Sequence, residues 1–142
     1  MGIKSRRYAQ DTKVPAGITK DEIEKLLRKG GASNIYSGFD EDRKLITLGF
    51  RIDGRHYKLT SSTDRPTRRC DEQQIEREAW RVLLLLLKAK LEVIAAGGTT
   101  FESEFLANLL LPDGSTVGED VLPKVAIAYE TSIMPNLLGA GA

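Results

Sequence analysis

The sequence has almost none of the side chains that bind metals or form disulfides. Its 142 residues include one cysteine, Cys70, and one histidine, His56. A single cysteine excludes a disulfide within the chain, and this pair is too few for the usual zinc sites. We therefore expect no metal, no cofactor and a reducing compartment such as the cytoplasm.

Long apolar segments are also missing. The longest apolar run, Val82–Leu87, is far shorter than the roughly 20 residues that span a bilayer. No apolar core follows the basic start of the chain, so a secretory signal is not expected. Arg6 stands where a myristoylation motif requires Ser or Thr. We expect a cytoplasmic protein that does not bind membranes.

The near-neutral total charge hides a division between two halves. Residues 1–70 carry 16 Lys and Arg against 9 acidic side chains, a balance of +7. Residues 71–142 carry 5 against 11, a balance of −6. A basic half is a candidate surface for an acidic partner. The negative charges fall largely at predicted helix starts and on exposed helical faces, where no function is needed to explain them.

The hydrophobic pattern predicts one α+β domain. A capping box at Thr19–Glu22 predicts a short helix over about 20–29, which ends at the glycines 30–31. Alternation then predicts three antiparallel strands, with Ile35 and Phe39 on one face of the first and Ile46 through Ile52 in the second. The pair Asp53-Gly54 predicts a tight hairpin that places Phe50 opposite Tyr57.

A long helix is predicted to follow the sheet. Asp71 can cap it, and no Gly or Pro interrupts the chain before Gly97. Apolar residues run along two of its sides, so we expect it to be buried on most sides. Two short C-terminal helices are predicted at about 101–109 and 120–131, with an extended segment around Val117. The predicted organisation is a basic N-terminal arm at 1–17, one domain at 18–138 and a flexible tail at 139–142.

Basic residues concentrate on the predicted hairpin and in the loop after it. They form a candidate nucleic-acid-binding or nucleotide-binding site: Arg51, Arg55, Lys58, Arg65, Arg68 and Arg69. Such binding requires only clustered cations and a ring for stacking. The alternative is that the acidic half of the chain neutralises this surface, or that it is only solvated.

Catalytic arrangements are scarce. Cys70 with His56 is the one available nucleophile pair, and no motif surrounds either residue. The triplet Asp42-Arg43-Lys44 has the acidic-x-Lys form of some nucleases but lies in a charged turn. Both glycine pairs, at 30–31 and 97–98, follow helices and so do not predict a phosphate-binding loop. We expect a protein that is not an enzyme.

The order of helix, three strands and helix resembles the double-stranded-RNA-binding domain. The lysine-rich run of that family is missing, because the chain reads Arg68-Arg69-Cys70-Asp71-Glu72 at this place. Two acids at the helix start would repel phosphate. The resemblance therefore covers topology and not function.

A second resemblance covers more of the chain. Five segments are similar to small proteins that tailed bacteriophages and prophages encode: Tyr8-Ala9-x-x-Thr12-x-Val14-Pro15, Glu22-Ile23-Glu24-x-Leu26-Leu27 leading to Gly31-Ala32, Thr100-Phe101-Glu102-x-Glu104-Phe105-Leu106, Leu111-Pro112-Asp113-Gly114-x-Thr116-Val117-Gly118, and Tyr129-Glu130 with Met134-Pro135. The resemblance implies a viral accessory protein and transfers no catalytic residue. Such proteins commonly bind nucleic acid or block a host factor, including defence systems.

Two functions therefore stay open. The first is an accessory protein that binds a host or phage protein, including one that inhibits a host defence system. The second is a nucleic-acid or nucleotide binder that uses the basic hairpin and loop. Because the long helix carries more apolar surface than its neighbours can cover, we also expect a homo-oligomer, with a dimer favoured.

Overall fold

The computed structural model describes residues 8–65 and 71–138, and it confirms the predicted α+β class. Three antiparallel strands in the order β1-β2-β3 form a sheet with helices on one face. The elements in chain order are α1 Ala16–Lys29, β1 Ser33–Asp40, β2 Leu45–Ile52, β3 Arg55–Ser62, α2 Glu72–Ala95, α3 Phe101–Glu104, a 3₁₀ helix Leu106–Asn108 and α4 Val117–Thr131.

The central hairpin confirms the predicted register. Phe50 lies opposite Tyr57, and their rings stack with centroids 5.6 Å apart. Asp53 and Gly54 both have positive φ angles, 51° and 77°, as the predicted turn requires. Side chains that alternate along β2 and β3 are therefore buried under α1 and α2. The positions between them point to the opposite side of the sheet.

Strand β1 departs from simple alternation. Its pairing with β2 shifts by one residue between Ser33 and Tyr36, beside Asn34 with a φ of 51°. After this β-bulge the pairing is regular, and it places Tyr36 opposite Gly49 on the side of the sheet away from the helices. Ile35 packs against the core, and Phe39 pairs with Ile46 near the C-terminal end of β1.

The capping box predicted at Thr19 is wrong. Helix α1 begins at Ala16, and its first hydrogen bonds run from Ile18 and Thr19 to the carbonyl oxygen of Pro15. Proline suits a helix start because its φ is already near the helical value. Thr19 consequently lies within the helix and is fully buried against the core rather than capping the end.

Helix α2 begins as predicted. The carboxylate of Asp71 accepts a hydrogen bond from the backbone N–H of Gln74 at 2.7 Å. The helix then continues for 24 residues, or about 36 Å. Gln74 also donates to the carbonyl oxygen of Thr12 at 2.9 Å, so the described part of the predicted arm is bonded to the start of α2.

The prediction that α2 is buried on most sides is wrong. Trp80, Leu83, Leu84 and Leu87 face the core, but a row of aliphatic side chains on another side of the helix is exposed. The reason is that α1 and the sheet cover adjacent sides of α2 and no other described element crosses the remaining one. None of the described helices combines the length and the apolar character needed to cross a bilayer.

The C-terminal part differs from the sequence expectation in detail. One helix was predicted over 101–109, whereas α3 and the 3₁₀ helix are separate short turns. Phe101 and Phe105 stack at 4.4 Å and meet the Phe50–Tyr57 pair edge-on, which ties this segment to the core. Val117 begins α4 rather than forming an extended segment, since Thr116 caps the helix by accepting a hydrogen bond from Glu119 N–H.

Candidate interaction surfaces

The structure separates the basic residues that the sequence predicted to act together. Arg51 pairs with His56, and Lys58 pairs with Gly49, on the side of the sheet opposite the helices. Arg55 pairs with Ile52 and so belongs to the other side, although it is exposed at the turn. Arg55 therefore lies on the other side of the sheet from Arg51 and Lys58, because neighbouring strand residues alternate sides.

Arg65 is held by its own chain. Its Nε lies 3.9 Å from a carboxylate oxygen of the buried Glu78, and one terminal nitrogen donates to the carbonyl oxygens of Ser62 and Asp64. A buried carboxylate is costly without a counter-charge, so Arg65 serves the fold at this place. Arg68 and Arg69 lie outside the described residues, as does Cys70.

The sheet side away from the helices carries a ring that the sequence analysis missed. We call it the outer face and define it by Tyr36, Arg51, His56 and Lys58. The ring of Tyr36 lies directly over Gly49, where any side chain would collide with it, and Tyr36 is 50% exposed. A glycine in the middle of a well-formed strand often marks such a close approach, so Gly49 was the available signal.

Helix α2 carries an exposed apolar row. We call Val82, Leu86, Ala89 and Val93 the α2 stripe; all four are exposed. Beside the stripe lies an open groove of about 790 Å³ between α1, the hairpin turn, α2 and α3, where Leu85, Leu91, Ile94 and Phe101 contribute apolar walls. The stripe and the groove share Ala89 and therefore adjoin each other, although Lys88 and Glu92 also line the groove.

Helix α4 is attached to the chain mainly through its first turn. Val117 is its single buried residue, and the N–H of Val117 donates to the carbonyl oxygen of Leu109 at 3.0 Å. Gly118 fits tightly against the backbone of Ala107. Of the described elements, the 3₁₀ helix is the one against which α4 packs.

The remainder of α4 carries apolar side chains that are exposed or half-buried. We call Leu122, Val125, Ala128 and Tyr129 the α4 face. Residues 133–138 turn back beside it, because Lys124 Nζ donates to the carbonyl oxygen of Leu137 at 3.0 Å. An open cleft of about 380 Å³ results, lined by Val125, Tyr129, Met134 and Leu137 among others. Tyr129 is 87% exposed and Met134 is 80% exposed.

Titratable groups in the described residues form no recognisable reaction centre. His56 is exposed on the outer face, and Arg43 lies in the charged turn, where its N–H donates to Asp40. No three metal-binding side chains converge anywhere in 8–65 or 71–138. The Ser115 hydroxyl and N–H donate to the Asp113 carboxylate and lower the pKa of Asp113, which stabilises the turn before α4.

Comparison of the chain with protein-family models, with curated proteins and with solved structures gives no match in any of the three.

Proposed function

We propose that the protein is a non-enzymatic accessory protein that binds another protein, and that the α4 face with residues 133–138 is its binding element. The observation that carries the proposal is the exposure of this surface. Leu122 is 68% exposed, and Tyr129 and Met134 are exposed still further. Large apolar side chains that cluster on one exposed surface are typical of protein interaction sites.

The low stability expected of α4 by itself supports the proposal that it binds a partner. An isolated helix of 15 residues is marginal in water even with favourable residues. Pro123 lies in its second turn, and its own chain covers little beyond Val117. A partner that covers the α4 face would therefore stabilise both the complex and the helix itself.

The size of the surface sets the strength of the contact. Burial of Leu122, Tyr129 and Met134 gains at most about 5–9 kcal/mol, taken at about 1.5–3 kcal/mol for each side chain. Association costs about 4–15 kcal/mol in lost freedom. These three side chains alone support a weak, reversible complex, and a tight complex needs the cleft beside them as well.

The segments that resemble phage and prophage proteins support a bacterial host protein as the partner. The protein would then act in the host cytoplasm. The proposed partners include components of a host defence system. Inhibition would follow if the α4 face covers a surface that the host protein needs for its own assembly.

Self-association is a second candidate, which the α2 stripe favours. Its residues repeat at alternating spacings of four and three, as in a coiled-coil contact, and extend over about 17 Å. A twofold axis would place the stripe of one copy against the same stripe of the next. We propose a homodimer through α2 on this ground.

The test of the proposed function is capture from a lysate of the host, followed by reconstitution with the purified partner. We expect Leu122→Asp to abolish binding, because it places a charge in the contact. Glu130→Gln, on the polar side of the same helix, should leave binding unchanged. A partner that Leu122→Asp retains as fully as the wild type would refute the α4 face as the binding element.

A further inference from the structure

We propose that the outer face is a binding site for single-stranded nucleic acid, with Tyr36 as the stacking ring and Arg51 and Lys58 as phosphate contacts. The site is separate from the proposed protein-binding helix. It differs from the site predicted from sequence by including Tyr36 and excluding Arg55 and Arg65.

The sheet register groups these residues closely. Tyr36, Gly49 and Lys58 form one row across the three strands, and Arg51 and His56 form the next row. Strands lie about 4.8 Å apart and alternate positions along a strand about 7 Å apart. The phenol ring, both cations and the imidazole therefore originate within roughly 12 Å of one another.

The regular part of β1 makes this arrangement possible. From Tyr36 to Asp40 the pairing with β2 is unbroken, so Tyr36, Gly38 and Asp40 share the side opposite Phe39 and the core. The ring of Tyr36 therefore lies over the middle strand and remains half exposed. Gly38 beside it leaves open space, since a side-chain carbon there would meet no other atom within 4 Å. A planar base has room next to the ring.

The charges of the outer face favour phosphate. Neither Arg51 nor Lys58 forms an ion pair with any described residue. Asp40 is the one acidic residue at an outward position of the strands, and it lies at the far end, where it accepts a hydrogen bond from Arg43 N–H. Thr47 and Thr60, which pair with each other, supply hydroxyl groups.

The side chains of the outer face favour single-stranded nucleic acid over a duplex or a protein as the ligand. A half-exposed ring can stack on a base only when that base is unpaired, as in proteins that bind single strands on a sheet or barrel surface. Outward positions of the strands carry one aliphatic side chain, Leu45, which is half-buried. The outer face therefore lacks the apolar centre of a protein interface.

Fluorescence anisotropy with labelled oligo-dT and oligo-U of roughly 15 nucleotides tests the proposal. We expect binding that weakens as salt rises. Tyr36→Ala should weaken it roughly 5- to 100-fold, while Tyr36→Phe keeps the ring and should keep most of the affinity. Arg51→Ala and Lys58→Ala should each lower the salt slope by about 0.7.

Arg55→Ala is the matched control, because it removes the same charge from the same hairpin on the other side of the sheet. It should leave affinity within about twofold of the wild type, and thermal melting should show that every variant is folded. An equal loss from Arg55→Ala and Arg51→Ala would overturn the site in favour of diffuse charge attraction. Equal affinity for a duplex, or no binding at low salt, would also overturn the proposal.

Discussion

Two adjacent leucines of α2 provide a direct test of how this helix is covered. Leu87 is 0% exposed, whereas Leu86 is 43% exposed and belongs to the α2 stripe. Leu→Ala at a fully buried site costs about 2–5 kcal/mol, because it removes buried area and leaves a cavity. At Leu86 just over half of a leucine burial energy of about 1.5–3 kcal/mol is at stake, so we expect about 1 kcal/mol.

Urea unfolding of Leu86→Ala and Leu87→Ala, followed by circular dichroism, measures both costs. The two variants remove the same atoms from neighbouring positions of one helix, so helix propensity cancels in their comparison. In dilute solution the Leu87→Ala cost should exceed the Leu86→Ala cost by 1 kcal/mol or more. Equal costs under these conditions would refute the exposed stripe.

The same measurement at rising protein concentration tests the proposed dimer. A second copy that covers the α2 stripe binds only the folded chain, so the wild-type unfolding midpoint should rise with concentration. In Leu86→Ala this rise should be smaller, because the variant weakens the contact. A wild-type midpoint that does not move, together with a monomer in light scattering, would refute the dimer and leave the α4 proposal untouched.

Two further variants test the outer face and the C-terminal attachment. Gly49→Ala inserts a carbon where the Tyr36 ring lies, so nucleic-acid binding should fall as in Tyr36→Ala. The free energy of unfolding should change by no more than about 1 kcal/mol, because alanine suits the strand better than glycine. Unchanged oligonucleotide affinity in anisotropy would contradict this geometry. Phe105→Ala should lower the free energy of unfolding in urea by about 3–5 kcal/mol and expose residues 99–116 to proteases, because Phe105 is fully buried. A loss under about 1 kcal/mol would show that this segment does not pack on the core.

Local chemistry was sufficient to predict the hairpin and the start of α2. Asp53-Gly54 can form a turn with positive φ angles at low cost, and that turn determines which residues of β2 and β3 face each other. Asp71 caps α2 through an oxygen within its own turn. Such features depend on residues that are close in sequence, so the types of those residues are enough to predict them.

Features that depend on distant residues were not predictable in the same way. The bulge at Asn34 depends on how β1 docks on β2, and the side chain at position 34 does not require it. Arg65 was assigned to a binding surface because the buried partner Glu78 is recognisable only in the folded chain. The exposure of the α2 stripe likewise depends on where α4 lies, and α4 lies elsewhere.

The two proposed activities use different elements of the molecule and should be separable. The outer face lies on the three strands, whereas α4 packs against the 3₁₀ helix and against none of the described strands. Substitutions at distant sites without shared partners act independently. Tyr36→Ala combined with Leu122→Asp should therefore show each defect at its single-variant size. A protein partner whose binding changes with Tyr36→Ala alone would mean that nucleic acid bridges the two, and nuclease treatment of the complex would then release that partner.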